Sequence, residues 1–468
     1  MQETVLNIVA GINHYLSDYI LIVLLVGVGL YYTIRTRFVQ VRCFGESMRR
    51  TFGNLSLKGK KQASGMSSFQ ALATAIAAQI GTGNIVGASG AILIGGPGAI
   101  FWMWIICFFG MATIYAEATL AVKTRRYGKK NSVHGGPVYY IREAFKGNFG
   151  KVLAMIFAIV GMVGMGFTGS MVQSNSIGET MQTAFGIPTW ISGIVLVSAC
   201  AAIYFGGVQR LASVTEKVVP IMAGLFLLGG LTVVFIRASY IPQTFAMIFK
   251  YAFKPTAILG GTFGMAMREA VTQGVKRGLF SNEAGMGSTP HAHAQANVEH
   301  PHEQGVTAIA GVFITFIVVT INAIIIISTL YVDGAPLAEG YTGSLVEAFT
   351  RTNLAQKAFG VVFGDTIGSM FVAVCLLFFA FSTIIGWNLF GRINANYLFG
   401  SKVNTLYSIA ALLFTFAGTM MQNGLVWELT DLLNNLMVIP NVIALFALGG
   451  VVTKSLQERR PVGKLPER

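Results

Sequence analysis

The sequence predicts an all-α polytopic membrane protein with eleven transmembrane helices, one N-terminal helix and a 5+5 inverted-repeat core. The first observation is composition: 54% of the 468 residues are hydrophobic and 11% are charged, whereas soluble domains carry about 25% charged residues. The second is a series of long apolar runs. The third is a glycine-rich interruption in the first and in the sixth helix of the ten-helix core, which predicts that both helices are broken.

Eleven apolar runs approach the length of about 20 residues that an α-helix needs to cross the hydrocarbon core of a bilayer. The predicted spans lie at 17–34, 67–93, 97–122, 152–176, 188–206, 218–236, 256–274, 306–330, 366–391, 404–421 and 425–449. They divide the chain into an N-terminal helix with a basic cytoplasmic loop, two five-helix repeats and a basic cytoplasmic tail, which occupy residues 1–66, 67–238, 239–452 and 453–468.

The basic residues predict the orientation of these spans. Of the 33 Lys and Arg residues, 28 fall in segments on one side of the predicted membrane and five on the other. Lys and Arg concentrate in cytoplasmic loops. The sequence therefore predicts a multi-pass membrane protein with its N-terminus outside and its C-terminus in the cytoplasm. The net charge of +14 is then a topology signal, and no nucleic-acid partner is predicted.

The stretch QIGTGNIVG, residues 79–87, interrupts the second predicted span with three glycines and three polar side chains. Irregular backbone at membrane depth is tolerated only where protein or a cavity replaces lipid. An unwound segment would offer amides to a carboxylate and carbonyls to a small cation such as Na+. The alternative is close helix packing, because Gly83 and Gly87 have the small-xxx-small spacing. The three polar side chains favour an unwound binding site over packing alone.

A second glycine-rich stretch, GGTFGMAMREA at 260–270, lies in the seventh predicted span. When the N-terminal helix is set aside, the two stretches fall in the first and sixth of ten core helices. Paired interruptions in corresponding helices of two halves indicate an inverted-repeat transporter with a binding site near the membrane midplane.

Four further polar or aromatic positions fit such a site. Ser382 and Thr383 are adjacent hydroxyls in the apolar ninth span, and Trp387 lies one turn beyond them. Paired hydroxyls also occur where they bond to carbonyls of the preceding turn, and this alternative stays open. Gln173 lies near the outer end of the fourth span, where it would be either a site residue or an interfacial one.

Five strings are specific enough to suggest a family: GTGNIVG, GGPGAIFWMW, GGPVYYI, FSNEAGMGSTPHAHA and GWNLFG, at 81–87, 95–104, 135–141, 280–294 and 386–391. Together they resemble the alanine/glycine:cation symporter (sodium:alanine symporter) family over nearly the whole chain. This family is similar to the leucine-transporter-fold superfamily, with one helix added at the N-terminus. The resemblance implies Na+-coupled or H+-coupled symport of alanine, glycine and similar small amino acids across the lipid bilayer of the bacterial cytoplasmic (inner) membrane.

The resemblance also implies site residues. The substrate-binding set that it implies is Gln79, Thr82, Gly83, Asn84, Gln173, Phe263, Thr383 and Trp387. In this set, amides of Thr82 and Gly83 would hold the substrate carboxylate. The implied site for Na+, the coupling ion, combines carbonyls and hydroxyls of Ala77, Ile80, Ser382 and Thr383. The chain departs from many relatives at Arg392, where they carry a glutamate, and this puts in doubt a role for an acidic group there.

Charged residues and histidines around the seventh span suggest two further hypotheses. Glu283 would close a cytoplasmic gate by pairing with Arg268 or Arg277. His291, His293, His300 and His302 have the HxH…HxH form of a zinc constellation. Their position in a predicted cytoplasmic loop favours a solvated or gate-lining segment, and no transition-metal site is predicted.

Other classes of protein find no support in the sequence. Neither HExxH nor GxSxG is present, so no enzyme is predicted. A channel is not favoured, because the spans carry no repeated filter and no ring of acidic residues.

The four cysteines lack CxxC spacing, which favours small buried residues over disulfides or metal ligands: Cys43, Cys107, Cys200 and Cys375. The oligomeric state stays open, and a monomer is compatible with the sequence.

Overall fold

A computed structural model describes residues 2–53, 66–128, 133–254, 262–338, 340 and 348–458. In these ranges the chain is almost entirely helical. Its single sheet there is a short antiparallel pair, β1 (Arg126–Tyr127) and β2 (Val133–His134). Parts of the predicted basic loop and tail, and Gly260 and Gly261 of the second predicted break, lie outside the described residues.

The helices of the first half are α1 (Gln2–Tyr15), α2 (Ile22–Arg35), α3 (Val39–Arg42), α4 (Phe44–Phe52), α5 (Ser68–Gln79), α6 (Ala88–Gly95), α7 (Ala99–Thr124), α8 (Pro137–Ala144), α9 (Gly147–Val163), α10 (Ser170–Phe185), α11 (Thr189–Tyr204) and α12 (Gly207–Ile236). Three π-helical segments connect neighbouring helices: Leu16–Leu21, Gly83–Gly87 and Gly164–Gly169.

The second half contains α13 (Ile241–Phe253), α14 (Phe263–Asn282), α15 (Pro290–His293), α16 (Pro301–Leu330), α17 (Leu354–Phe363), α18 (Asp365–Phe399), α19 (Asn404–Gly418), α20 (Asn423–Ala447) and α21 (Gly449–Gln457). Two 3-10 turns, Ala238–Tyr240 and Ser401–Val403, precede α13 and α19.

Seven described helical stretches are long and apolar enough to cross a membrane, and an eighth is a bent pair. The seven are Glu3–Arg35, Ala99–Thr124, Gly147–Phe185, Gly207–Ile236, Pro301–Leu330, Asp365–Phe399 and Asn423–Ala447. The bent pair joins Ser68–Gln79 to Gly83–Gly95 at an angle of 46°. These eight coincide with eight predicted spans, so the chain is a multi-pass membrane protein.

The other three predicted spans coincide with helices that do not meet the same length and composition criteria. The spans at 188–206 and 404–421 correspond to α11 and α19, which have 16 and 15 residues. The span at 256–274 overlaps α14, which has 20 residues but carries several charges. The count of eleven spans and the inverted-repeat arrangement therefore stay predictions.

The second predicted break, at 260–270, is described only from residue 262 onwards. From Phe263 onwards α14 is continuous as far as Asn282, so the expected interruption within 263–270 is wrong. Ala, Met, Arg and Glu in this stretch are good helix formers, and the Thr262 side chain caps the helix by accepting from the Met265 amide. The irregular backbone comes later, at 283–289, where Glu283, Gly285 and Gly287 all have positive φ.

Close packing brings the first bent helix against α18. A Cβ added to Gly386 would lie 3.2 Å from the Ala78 Cβ, so the glycine allows the two backbones to approach closely. Helix α18 also packs against α9, α10 and α12. The residues at this crossing are buried, including Trp387 and both hydroxyl residues of α18. The fold thus places the bent helix and α18 together in the protein interior.

Candidate functional site

The first helix break exposes backbone groups inside the protein. Helix α5 ends at Gln79, Ile80 is non-helical with φ −93° and ψ 79°, and helical structure resumes at Gly83. The amide of Thr82 donates to Oε1 of Gln173 on α10, at 3.0 Å. Residues 77–87 are all buried. A backbone amide released by the break therefore meets a polar side chain from another helix.

Carbonyl oxygens at the end of α5 meet the two hydroxyls of α18. The Ala77 carbonyl accepts from Ser382 Oγ at 3.1 Å and from Thr383 Oγ1 at 2.9 Å. Thr383 Oγ1 also lies 3.1 Å from the Ala78 carbonyl. Both hydroxyls bond to the Phe379 carbonyl as well, so back-bonding and contact across the helices occur together. The structure thus gathers several oxygen atoms at one point, as a small hard cation requires.

Gln79 and Asn84 tie the break to the end of α14. Gln79 Nε2 donates to the Asn282 carbonyl at 2.7 Å, and Asn84 Nδ2 donates to the Gln79 carbonyl at 2.7 Å. The Ser281 hydroxyl donates to Asn84 Oδ1. Asn322 of α16, which no sequence pattern singles out, donates to the Asn84 carbonyl at 3.2 Å. The two irregular regions are therefore joined through hydrogen bonds.

Three buried polar atoms beside the break have no hydrogen-bond partner among the described residues: Gln79 Oε1, Thr82 Oγ1 and Gln173 Nε2. A buried polar group without a partner costs about 1–3 kcal/mol. All three belong to residues that the sequence assigns to the substrate. Their shared location gives a bound polar ligand one acceptor, one donor and one hydroxyl to use.

Aromatic side chains surround the same place. The Trp387 ring lies 5.8 Å from Phe280, and Phe280 lies 5.0 Å from Trp427. A Cβ on Gly83 would lie 2.7 Å from Cδ1 of Phe280, so this phenylalanine contacts the break directly. Its position in the FSNEAGMGS string, just before the irregular segment, is the sequence signal that could have identified it.

The structure contradicts Phe263 as a wall of this pocket. Phe263 is the first residue of α14 and is 54% exposed. Phe280 follows 17 positions later, which is about 25 Å along a helix. The prediction placed Phe263 at a break inside the protein, whereas the structure places it at the exposed start of a regular helix.

The three residues assigned to a gate do not pair with one another. Arg268 contacts Asp18, and Arg277 pairs with Asp431 through nitrogen–oxygen distances of 3.1 and 2.8 Å. Glu283 accepts from Trp387 Nε1 at 2.6 Å and from the Ser288 hydroxyl. In this structure Glu283 therefore pairs with neither arginine, because its positive φ starts the irregular segment and its side chain contacts α18.

Glu117 stabilises that irregular segment. Its carboxylate oxygens accept from the amides of Gly285 and Gly287 at 3.0 and 3.1 Å and from Asn441 Nδ2 at 2.7 Å. The residue is fully buried in α7. A charged residue inside a predicted span is costly and usually faces the bundle interior. The sequence shows Glu117 as a charged residue inside a predicted span. It does not show the hydrogen-bond partners of Glu117, which lie more than 150 positions away.

The four histidines do not share one site. His291 bonds to Asn394 at 3.0 Å, His293 to Gln304 at 2.9 Å and His302 to Tyr115 at 2.9 Å. His300 accepts from the amide of His302 at the start of α16. Because His291, His293 and His302 are buried, the expectation of a solvated segment is wrong for these three.

The architecture is that of a known fold class. The structure of MhsT in complex with L-phenylalanine superposes on this chain with a TM-score of 0.59 at 12% identity, covering 85% of this chain and 97% of the other. This similarity shows the fold, which is the leucine-transporter fold. The chain is accordingly a multi-pass membrane protein of that class.

Comparison of sequences then gives the family. The model of the sodium:alanine symporter family matches residues 2–462, and the chain belongs to this family. The sodium/alanine symporter AgcS of Methanococcus maripaludis is 38% identical, with 97% of this chain and 98% of the relative covered. An uncharacterized transporter of Haemophilus influenzae is 39% identical, with 97% and 96% covered. The family resemblance predicted from the motifs is confirmed, and membership supports amino-acid symport by a protein that is not an enzyme.

Proposed function

We propose that this protein is a secondary active transporter that carries alanine, glycine and similar small amino acids together with Na+ across the bacterial inner membrane. The observation that supports this proposal most directly is the break at Ile80–Thr82. On one side of it an amide meets Gln173, and on the other side carbonyls meet Ser382 and Thr383. A zwitterionic substrate and a cation need these two kinds of group side by side.

The substrate carboxylate would bind at the amides of Thr82 and Gly83. The Thr82 amide now donates to Gln173 Oε1, and a carboxylate oxygen would replace that acceptor. Freed from this bond, Gln173 would present its amide group to the ligand. Gln79 Oε1 would accept from the ammonium group, and Thr82 Oγ1 would bond to the carboxylate. Neither atom has a hydrogen-bond partner among the described residues.

A small side chain would face Trp387 and Phe280. The Trp387 indole is held by its hydrogen bond to Glu283 and by its edge contact with Phe280. Both rings are buried, and closely packed side chains leave few voids larger than a water molecule. The methyl group of alanine or the hydrogen of glycine would suit this space better than a branched side chain.

The coupling ion would bind between α5 and α18. Carbonyls of Ala77 and Ile80 and the hydroxyls of Ser382 and Thr383 would be its ligands, and the close packing at Gly386 keeps the helices near one another. Ile80 also belongs to the break that holds the substrate. Ion and substrate would therefore favour the same arrangement of these helices, which is the thermodynamic requirement for coupling.

Transport would follow alternating access, with one repeat moving against the other. The hydrogen bonds from Gln79 and Asn84 to the end of α14 give the two irregular regions a shared polar contact. The N-terminus would lie outside and the C-terminus in the cytoplasm, as the distribution of Lys and Arg predicts.

Uptake of labelled alanine into proteoliposomes tests this proposal. We expect accumulation under an inward Na+ gradient and none when the gradient is replaced by K+. Unlabelled glycine should compete, and leucine should compete weakly. The alternative is a proton-coupled small amino-acid symporter, for which accumulation would follow an imposed pH gradient in the absence of Na+. Accumulation under neither gradient would contradict symport.

A further inference from the structure

Three side chains with metal-binding groups meet outside the proposed transport site. Cys43 lies between α3 and α4, Glu46 is in the first turn of α4, and His302 is the second residue of α16. Their Sγ, carboxylate oxygen and imidazole nitrogen atoms all lie within 4.8 Å of one another. Cys43 and His302 are each 2% exposed. Residues 259 positions apart in the sequence thus meet in a largely buried cluster.

One nitrogen of His302 faces this cluster without a hydrogen bond. Nε2 has no hydrogen-bond partner among the described residues and lies 3.6 Å from Glu46 Oε2. The other nitrogen, Nδ1, lies 2.9 Å from the Tyr115 hydroxyl. When Nδ1 donates to Tyr115, the lone pair of Nε2 points towards a carboxylate oxygen. In that tautomer the two acceptors would hold a cation between them, whereas in the other tautomer the Nε2–H group would face Glu46.

The surroundings of the cluster resemble those of a metal ligand set. Metal-binding histidines commonly donate their second ring nitrogen to a fixed acceptor, and ligating carboxylates are themselves hydrogen-bonded. Tyr115 is the acceptor for the second ring nitrogen of His302 here. Arg50 is the hydrogen-bond donor to the carboxylate, because its Nε donates to Glu46 Oε1 at 2.8 Å. This leaves Glu46 Oε2 on the side of His302.

We propose that Cys43, Glu46 and His302 form a binding site for a transition-metal ion, with Zn2+ as the ion that fits best. Zn2+ binds thiolate, imidazole and carboxylate ligands at about 2.0–2.3 Å with tetrahedral geometry. Ligand atoms at those distances lie about 3.3–3.8 Å apart, so small side-chain movements would close the cluster around the ion. Water would complete the tetrahedron.

The proposed metal would fasten the N-terminal loop to the helical core. Helix α4 packs along α16, and the metal would add a direct link between them at the first turn of each helix. The loop is predicted to be cytoplasmic, where thiols stay reduced and Cys43 remains available as a thiolate ligand. The sequence favours a small buried apolar role for Cys43, because the four cysteines are far apart and lack CxxC spacing.

Direct metal binding to the full-length, tag-free protein in detergent tests the site independently of transport. After treatment with a chelator, we expect one Zn2+ per chain by calorimetry and by elemental analysis. Co2+ in place of Zn2+ should give d–d absorption typical of tetrahedral coordination and a thiolate charge-transfer band. Cys43→Ser and His302→Gln should remove the band and weaken Zn2+ binding at least tenfold.

Two variants serve as matched controls. Cys375→Ala removes a different buried cysteine, and His300→Asn removes a neighbouring histidine while keeping a helix-capping side chain. Both should bind Zn2+ as the unmodified chain does. Glu46→Gln changes a partly exposed helix position, so it gives a folded variant should the other two fail to fold, and it should also bind at least tenfold more weakly.

Zn2+ should also raise the melting temperature of the unmodified chain but not that of Glu46→Gln, because a ligand stabilises only the state that binds it. Absence of stoichiometric Zn2+ binding, or full binding by Cys43→Ser or Glu46→Gln, would overturn the proposal. The cluster would then be a hydrogen-bonded His302–Glu46 ion pair. None of these outcomes depends on which ion drives transport.

Discussion

The hydroxyl of Thr383 lies 2.9 Å from the carbonyl oxygen of Ala77, although 306 positions separate the two residues. The bond joins the end of α5, where the bent helix loses its regular hydrogen bonds, to the middle of α18. Thr383 also bonds to Phe379 of its own helix. The residue therefore makes both a local bond, which a hydroxyl in any helix can make, and a contact that depends on the fold.

We expect Thr383→Ala to raise the Na+ concentration for half-maximal uptake at least tenfold, because it removes an oxygen from the proposed ion site. Alanine affinity should also fall at low Na+, since coupled ligands change each other's affinity by the same factor, so that weaker Na+ binding gives weaker alanine binding. Ser382→Ala should act in the same direction. Alanine binding to purified protein over a series of Na+ concentrations measures both effects.

Thr415→Ala is the matched control for the hydroxyl pair. Thr415 is buried and bonds to the Ala411 carbonyl in its own helix, without a contact across to α5 among the described residues. Its loss should leave Na+ dependence unchanged. The proposed ion site is wrong if Thr383→Ala and Ser382→Ala both behave like this control.

Trp387→Ala should change which amino acids bind. Loss of the buried indole leaves a cavity next to Phe280, and a larger substrate could fill it at about 0.8 kcal/mol for each buried CH2 group. We expect alanine to bind more weakly and valine or leucine to bind better relative to it. Competition against labelled alanine gives the order of affinities.

Two controls separate the size of the indole from its hydrogen bond. Trp387→Phe keeps a ring but removes the N–H that donates to Glu283, so it should preserve the order of preference. Trp190→Ala removes a half-exposed indole and should change neither affinity nor order. A uniform loss for all amino acids in Trp387→Ala would contradict the proposed position of this residue.

The sequence predicted the parts of the fold that depend on local composition. Long apolar runs identify eight spans that the structure reproduces, and GTGN marks the first bend. The second break could not be placed in the same way, because glycines at 260–264 resemble a break more than EAGMG does. Which segment stays irregular depends on Glu117, whose carboxylate binds the amides of Gly285 and Gly287, and a tertiary partner is not visible in local sequence.

In the candidate site, too, the sequence predicts individual residues but not their tertiary partners. Gln173, Ser382, Thr383 and Trp387 stand out as polar or aromatic residues inside apolar spans, and the structure brings them to the first break. Partners are harder to predict than positions. Glu283 was expected to pair with an arginine, yet it bonds to Trp387, while Arg277 bonds to Asp431 on α20. Sequence alone gives no measure of which helix faces approach one another.

Asp431→Asn should strongly destabilise the folded protein. Asp431 is 3% exposed, and its carboxylate lies 2.8 Å from both Lys276 Nζ and Arg277 Nη2. Removing one partner of a buried ion pair costs about 3–5 kcal/mol, because the remaining charge stays buried without compensation. We expect a clear fall in melting temperature in detergent, larger than for Arg277→Met, which leaves Asp431 paired with Lys276.

The exposed pair of Lys454 and Glu458 provides the comparison. Its nitrogen–oxygen distance is 3.7 Å, and both side chains are largely exposed. Exposed ion pairs contribute about 0–1 kcal/mol, so Lys454→Met should leave the melting temperature nearly unchanged. Equal effects for Asp431→Asn and Lys454→Met would show that the buried cluster does not stabilise this arrangement of α14 and α20.

Gly83→Ala tests whether the first break binds substrate or only packs helices. The structure assigns Gly83 no positive φ, so torsional strain is not the reason for glycine here. The reason is space: an added Cβ would lie 2.7 Å from Phe280 Cδ1 and 3.0 Å from the Phe280 carbonyl oxygen. Gly87 is the matched control, since its added Cβ would meet Trp427 at 3.6 Å, an ordinary contact.

If the break is a binding site, Gly83→Ala should remain folded in the membrane and lose measurable alanine binding, because the methyl group displaces Phe280 and occupies the approach of the carboxylate. Gly87→Ala should then bind alanine normally. If Gly83 serves only close helix packing of the small-xxx-small kind, Gly83→Ala should lower the melting temperature and leave the alanine affinity of the surviving protein intact, and Gly87→Ala, whose added Cβ has room, should change neither. Melting temperature and alanine binding, measured on both purified variants, distinguish these cases. A destabilised Gly83→Ala variant with normal alanine affinity would place the substrate elsewhere.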